Sequence, residues 1–337
     1  MKNDRREFLK TVGGASAALA GASAEGQDRA AAEREVAVAA LPPTPGGTTG
    51  FALDVDGVQV GVLKAYSGGT VGAEVVLETP GADGVIRKHL GRLQNEDLLL
   101  SVDGAFFKTP LFNWVGDTLD HSFLRHDGSV RAFDFNFKET RETRFQDALI
   151  SEVGFPELDA AAKDAALFRI VIKPEQLEVK KGSGQKITPP AGKAKKALRS
   201  NFRLKIDGLD NAVKKVNKID ALSVKMRVAY LGGEGCDPFA LEPGPLTIDD
   251  LVIHCAESFA QELYDWHEDF VIKGACSQKP KEERSGSLEL LTPDLKTVLL
   301  TVQFKGLGLH KLSPEVNATD SVSRVVASMY CEEVAIK

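Results

Sequence analysis

The densest run of chemistry-bearing side chains is Asp265-Trp266-His267-Glu268-Asp269. Carboxylates and an imidazole at this density are the ligand types of a hard or borderline cation. At helical spacing Asp265, Glu268 and Asp269 share a face while His267 points elsewhere, so a solvated helix face is the reading favoured over a metal centre. His254-Cys255 has the residue types of a nucleophilic dyad. Neighbouring strand residues point to opposite faces, so these two cannot activate one another, and Cys255 reads as a buried structural thiol. Asp120-His121 and His126-Asp127 flank an expected hairpin. Trp114 and Trp266 have the shape of ligand platforms, but their helical spacing with Leu and Phe points to core packing. The sequence holds no Gly-x-Ser-x-Gly and no His-Glu-x-x-His, and Gly232-Gly233-Glu234-Gly235 lacks the strand-before, helix-after setting of a phosphate cradle. No catalytic, cofactor-binding or metal-ligating residue is assigned, and an enzyme is not expected.

The elements that carry these residues come in two copies. Phe51-Ala52-Leu53-Asp54-Val55-Asp56-Gly57 is repeated as Phe202-Arg203-Leu204-Lys205-Ile206-Asp207-Gly208, alternating apolar and polar residues closed by an Asp-Gly turn. Asp97-Leu98-Leu99-Leu100 returns as Asp250-Leu251-Val252-Ile253, and Leu111-Phe112-Asn113-Trp114 as Leu263-Tyr264-Asp265-Trp266. The separations are 151 for Phe51 and Phe202, 153 for Leu98 and Leu251, and 152 for Trp114 and Trp266. Three matches in step indicate a tandem duplication of one β-rich domain.

The expected organisation is a signal peptide over 1–24, a leader over 25–48, a first domain over 49–179, a linker over 180–199 and a second domain over 200–337. Strands are expected at Phe51–Val55, Ala73–Glu78, Asp97–Val102, Leu222–Val228 and along Phe133-Asp134-Phe135-Asn136-Phe137, with Leu300, Val302 and Phe304 as the counterpart of Phe133–Lys138. Thr109-Pro110 opens one helix and a Ser258-x-x-Gln261 capping box the other, the latter burying Phe259, Leu263, Trp266 and Phe270. Val153–Asp159 reads as a loop, Lys180–Arg199 as a solvated basic linker, and Gly274–Ser287 as an insertion. Glu332–Ile336 echoes Glu175–Val179.

Arg5, Arg6, Phe8 and Leu9 precede a mildly apolar run, and Ala22 and Ala24 form a small-residue cleavage site, the order of a twin-arginine export signal. Export to the periplasm or the outside is therefore expected, and the apolar run is too weak for a membrane span. The formal charge is -6; residues 1–24 carry four cations against two acids, leaving -8, a poor match to sequence-specific nucleic-acid binding. Of the four cysteines, Cys236, Cys255, Cys276 and Cys331, none forms a Cys-x-x-Cys pair, and their pairing is left open.

The second half resembles the tail tube proteins of contractile phages and related injection machines. The likeness rests on Phe202–Leu209, Lys218–Val224, Leu263–Trp266 and the strand pair closing at Phe304-Lys305, and in the first half on Phe155–Ala161. It implies a mainly β fold: two tandem tail-tube-like antiparallel barrel or sandwich domains, each with one packed α-helix. It also implies a structural role, in which domains add sheet edges into rings of six and rings stack into tubes. For a doubled chain the economical assembly is a trimer forming a pseudo-hexameric ring, with other tail-like or injection-machine components as further partners. The alternatives are a secreted monomeric binding module on the same fold and a secreted hydrolase.

Overall fold

A computed structural model describes residues 48–107, 109–188, 197–231, 240–274, 283–315 and 323–337. The signal and leader over 1–47, Cys236 and Cys276, and the Gly232–Gly235 loop lie outside them. Unbroken period-2 patterns make most of these residues antiparallel strand. The first half holds β1 (Gly50–Val55), β2 (Val58–Leu63), β3 (Ala65–Gly68), β4 (Val71–Leu77), β5 (Lys88–Asn95) and β6 (Leu98–Val102). Helix α1 (Pro110–Leu119) follows, then β7 (His126–Phe133), β8 (Glu139–Phe155), β9 (Leu158–Asp159), β10 (Phe168–Lys173) and β11 (Gln176–Lys181). The second half holds β12 (Phe202–Ile206), β13 (Val216–Ile219), β14 (Leu222–Leu231), β15 (Ala240–Ile248), β16 (Leu251–Ala256), helix α2 (Gln261–His267), β17 (Arg284–Leu291), β18 (Val298–Glu315), β19 (Arg324–Tyr330) and β20 (Glu333–Ile336).

The two halves repeat one pairing scheme. β1–β7–β8–β11 in the first matches β12–β17–β18–β20 in the second, and β3–β6–β10–β8 matches β13–β16–β19–β18. Irregularities recur too: β4/β5 shifts register after Ala73 and β14/β15 after Met226, which stands 153 further on. Gly128 and Gly286 face Phe145 and Phe304 at the same point of their ladders, and a Cβ at either would collide with the carbonyl of Asp54 or Lys205. Phe304 is therefore the counterpart of Phe145, not of the Phe133–Lys138 segment.

Two free-standing barrels are not what the sheets show. A 10-stranded sheet takes β14 and β15 from the second half onto β8, and an 8-stranded sheet takes β9 from the first half onto β13. Leu111 and Trp114 of α1 and Leu263 and Trp266 of α2 are buried in one continuous core.

Several local expectations are corrected. Phe133–Phe137 leaves the strand at Phe133 because Asp134 Oδ1 accepts the N–H groups of Asn136 (2.8 Å) and Lys138 (2.9 Å), an Asx-type turn that leaves Phe135 83% exposed. Val153–Asp159 is strand at both ends, not loop. Asp120-His121 and His126-Asp127 flank the passage from α1 to β7 rather than a hairpin. Helix α2 starts after Ala260 with no side-chain cap, and Phe259 lies outside it, exposed beneath Lys215. Thr109 is the N-cap residue of α1, but its hydroxyl bonds Phe106 O (2.5 Å) instead of capping. The basic segment is tied down where it is described: Ile187 and Ala197 are buried, and Arg199 binds Glu157.

Candidate interaction surface

The residues singled out for chemistry are dispersed. Asp265 accepts from Gln261 (2.8 Å), and Glu268 and Asp269 both pair with Lys273 (3.0 Å each). Asp265, Glu268 and Asp269 are all exposed, as a solvated face requires, and the helix then passes into a π turn over Glu268–Ile272. Cys255 is fully buried, its Sγ donating to Ala212 O (3.3 Å), and burial pushes its thiol up to about 11. Cys331 is buried too, with its thiol likewise pushed up to about 11, and neither is in a disulfide. His254 points away from Cys255 into acids: Nδ1 lies 2.9 Å from Glu315 Oε2 and Nε2 3.2 Å from Asp220 Oδ1. No group of His, Cys, Asp and Glu suited to a metal ion occurs among the described residues. Trp114 and Trp266 are buried, as core packing requires. The targeting residues Arg5, Arg6, Phe8, Leu9, Ala22 and Ala24 lie outside the described residues.

What the structure does gather is a joint between the halves. Leu222–Lys225 of β14 pair with Phe155–Glu152 of β8. The hairpin β14–β15 thereby buries Met226 and Leu241 against Leu149. Its far end is pinned by Glu175, whose Oε1 accepts Leu241 N–H (2.7 Å), and by Lys173, which donates to Tyr230 Oη (3.0 Å). Lys173 also pairs with Asp97 (3.0 Å). Beside it, Lys218 bridges Glu157 (3.1 Å) of the first half and Asp220 (2.9 Å) of the second, extending the His254 cluster across the joint.

The other members of each matched pair are open. The hairpin β4–β5 forms a two-stranded sheet of its own. Val71, counterpart of Val224, is 43% exposed where Val224 is 2%, and Leu93, counterpart of Leu246, is 57% exposed. Among the described residues, the edge of β18 corresponding to the occupied edge of β8 has no strand on it: Lys311, Leu312 and Ser313 stand where Glu152, Val153 and Gly154 receive β14. The sequence carried this signal only as a matched repeat; the period-2 pattern of β4 does not reveal that its apolar face lacks a cover.

No family model matches the chain, and no curated protein matches it. Several solved structures do. A chain of the extracellular contractile injection system PVC sheath–tube complex in its extended state is 18% identical, over 39% of this chain and 88% of that one, with a TM-score of 0.33. A chain of the anti-feeding prophage tube-terminating cap is 16% identical over 43% and 95%, TM-score 0.35. Hcp1 from Flavobacterium johnsoniae is 14% identical over 40% and 94%, TM-score 0.26. The chain thus bears a distant and partial likeness in fold to chains of contractile injection systems.

Proposed function

We propose that this chain is a structural subunit made of two tandem copies of one β domain, which assembles head to tail with copies of itself. The observation that carries this is the internal joint. Hairpin β14–β15 caps the β8 edge within the chain, while among the described residues no strand pairs with the outer edges of its counterpart β4–β5 or with the counterpart edge on β18. A second copy satisfies both, its Val71 and Gly72 laid against Leu312 and Lys311 as Val224 and Lys225 lie against Val153 and Glu152. Pro314, with no N–H, stands where Phe155 begins the internal ladder, so the external ladder is confined to 311–313. Charge agrees at the far end: Lys88 occupies the place of Leu241 and Glu332 that of Glu175, so a cation meets a carboxylate.

The contact is heterologous, and a heterologous contact closes a ring when its repeated rotation completes a full turn. Three chains supply six β domains, the pseudo-hexameric ring of the tail-tube type that the sequence resembles, and stacked rings make a tube. The twin-arginine pattern at Arg5 and Arg6 directs this assembly outside the inner membrane.

Light scattering on the mature chain across a concentration series tests the assembly. Its mass is expected to rise from one chain to three. Val71→Asp combined with Leu93→Asp is expected to hold it at one chain with an unchanged melting temperature. A wild-type chain that remains a monomer at the highest concentration would favour a secreted binding module and sink the assembly.

A further inference from the structure

The internal joint has a second contact, away from the hairpin. On the outer sheet of the second half, Lys305, Glu333 and Val334 floor a cavity of about 240 Å³, and its other wall is the end of the first half's helix, Leu119-Asp120-His121. Leu119 is buried there, and the helix packs on β20, with Gly116 turned towards Ile336. The carboxylate of Asp120 stands by the Lys305 ammonium, and His121 by the Glu333 carboxylate, so opposite charges ring the seat.

The first half has the same depression without the helix end. A cavity of about 310 Å³ is floored by Gln146, Gln176 and Leu177, and those three stand where Lys305, Glu333 and Val334 stand in the other. Val179, the counterpart of the partly covered Ile336, is 48% exposed. The matching helix end is bare as well. α2 runs on through the π turn, whose backbone bond from Lys273 N–H to Glu268 O (2.8 Å) spans five residues instead of four. That extra residue brings Ile272 to the place held by Leu119 in α1. Ile272 is 68% exposed at the tip of the turn, while Phe270 and Val271 just before it are partly covered.

We propose that Ile272 seats in the Leu177–Val179 depression of a second copy, as Leu119 seats over Val334 within the chain. The occupant is a copy of this chain because both surfaces are counterparts of surfaces already in contact in one polypeptide. Both also face the neighbour that the hairpin joint selects. The inference rests on the head-to-tail assembly and adds to it a contact on the outer sheet, independent of the strand ladder. The π turn is the device that supplies it, since a regular α-turn would put a different side chain at the tip.

Two preparations of the full mature chain test it, both with Cys236→Ser and Cys276→Ser, one also carrying Ile272→Cys and the other Val179→Cys. Cys255 and Cys331 are buried and remain silent. With a short bismaleimide, the mixture is expected to give a covalent pair of chains that neither preparation gives alone. Ile272→Asp, at a site exposed in the single chain, is expected to leave the melting temperature in place and to weaken association about tenfold or more. Association by light scattering without the cross-link, or with Ile272→Asp silent, would overturn the helix contact and leave the assembly standing. Absence of association would overturn both.

Discussion

Hairpins β4–β5 and β14–β15 share a register and a bulge, and differ in what lies beneath them. Val224 and Met226 find the first half's β8 and Leu149 within the same chain, whereas Val71, at the matching place, is left 43% exposed. Covalent linkage explains the asymmetry. The first half precedes the second, so one joint closes inside the polypeptide, and in the proposed assembly the other is left for a neighbour, at a cost in lost translational freedom that the internal joint avoids. The comparison also shows a difference in fastening. Lys218, held by Asp220 beside His254, reaches Glu157 across the internal joint, and the counterparts of Lys218, Asp220 and His254 in the first half are Ala65, Ser67 and Ser101. The internal joint is riveted by charge, whereas the proposed external one would rest mainly on strand pairing and apolar cover, which suits a contact that must form after synthesis.

The sharpest break in the comparison is the same substitution on either side. Val224→Asp places a carboxylate in the core and is expected to cost about 3 kcal/mol or more, read as a lowered denaturant midpoint. Val71→Asp, at the matching place, is expected to leave that midpoint within about 0.5 kcal/mol and to act on association alone. Equal destabilisation by both would mean that the hairpins are not in different environments.

Next in size is the charge bridge. Lys218→Met leaves Glu157 to Arg199 and Asp220 to His254 and is expected to cost about 1 kcal/mol, less than a fully buried pair because all three groups reach solvent. Burial disfavours the Asp220 carboxylate, but its bond to Lys218 and the nearness of His254 outweigh this and hold its carboxyl below the ordinary 3.8. The bond to Asp220 is likewise the main reason that Lys218 is held above 10.5. A depressed acid contributes stability above its unfolded value, lost as pH falls through the folded one. A raised base contributes below its unfolded value, lost as pH rises through the folded one. The difference between wild type and Lys218→Met should therefore be level through neutral pH, shrinking below 3.8 and above 10.5. A difference that vanishes near pH 7 would show that the bridge is not what links the halves.

The thiols distinguish the halves at alkaline pH. Cys255 occupies the place of Val102, so only the second half carries a titrating group there. Burial pushes Cys255 from 9.0 up to about 11, so the unfolded chain ionises first and stability should decline as pH rises from 9 towards 11. Cys255→Val is expected to remove about 1 kcal/mol of that decline at pH 10. A chain equally pH-sensitive with valine would place the decline elsewhere. Neither Cys255 nor Cys331 should react with a thiol reagent before unfolding.

How much of this was legible beforehand follows from what each signal depends on. Strands such as Phe51–Val55 and Leu222–Val228 have one covered face, and the period-2 rule finds them. The match of Glu332–Ile336 to Glu175–Val179 held because β20 and β11 make the same pairing with β18 and β8. Phe133–Phe137 also alternates, yet the Asp134 carboxylate takes up the backbone donors that a ladder would need, a competition invisible to a hydrophobicity pattern. Val153–Phe155 was obscured by Gly154 and Pro156, turn formers by composition that here end a strand of 17 residues. The interface was hidden for a different reason: β4 and β14 read alike, and only coordinates show which of them is covered.

The smallest expected effect concerns the tryptophans. Over Trp266 lies the Arg284 guanidinium, 4.4 Å from the ring centre, with Nη1 donating to Asp207 O (3.1 Å). Over Trp114, at the matching place in the ladder, lies His126, its ring centre at 4.8 Å and its Nδ1 2.6 Å from Asp56 Oδ2. One half thus holds a guanidinium cation against its indole and the other an imidazole ring. The Nε2 of His126 is buried without a partner, so a substitution there removes an unsatisfied atom as well. His126→Arg is expected to stabilise the chain by about 0.5–1 kcal/mol, the range of a partly exposed cation–π contact, with a smaller gain from His126→Met, which has length without charge. Chemical unfolding of the two variants, followed by tryptophan emission, reads both quantities. An equal gain from both would assign the effect to packing of the longer side chain, and the two tryptophans would then differ in shape rather than in charge.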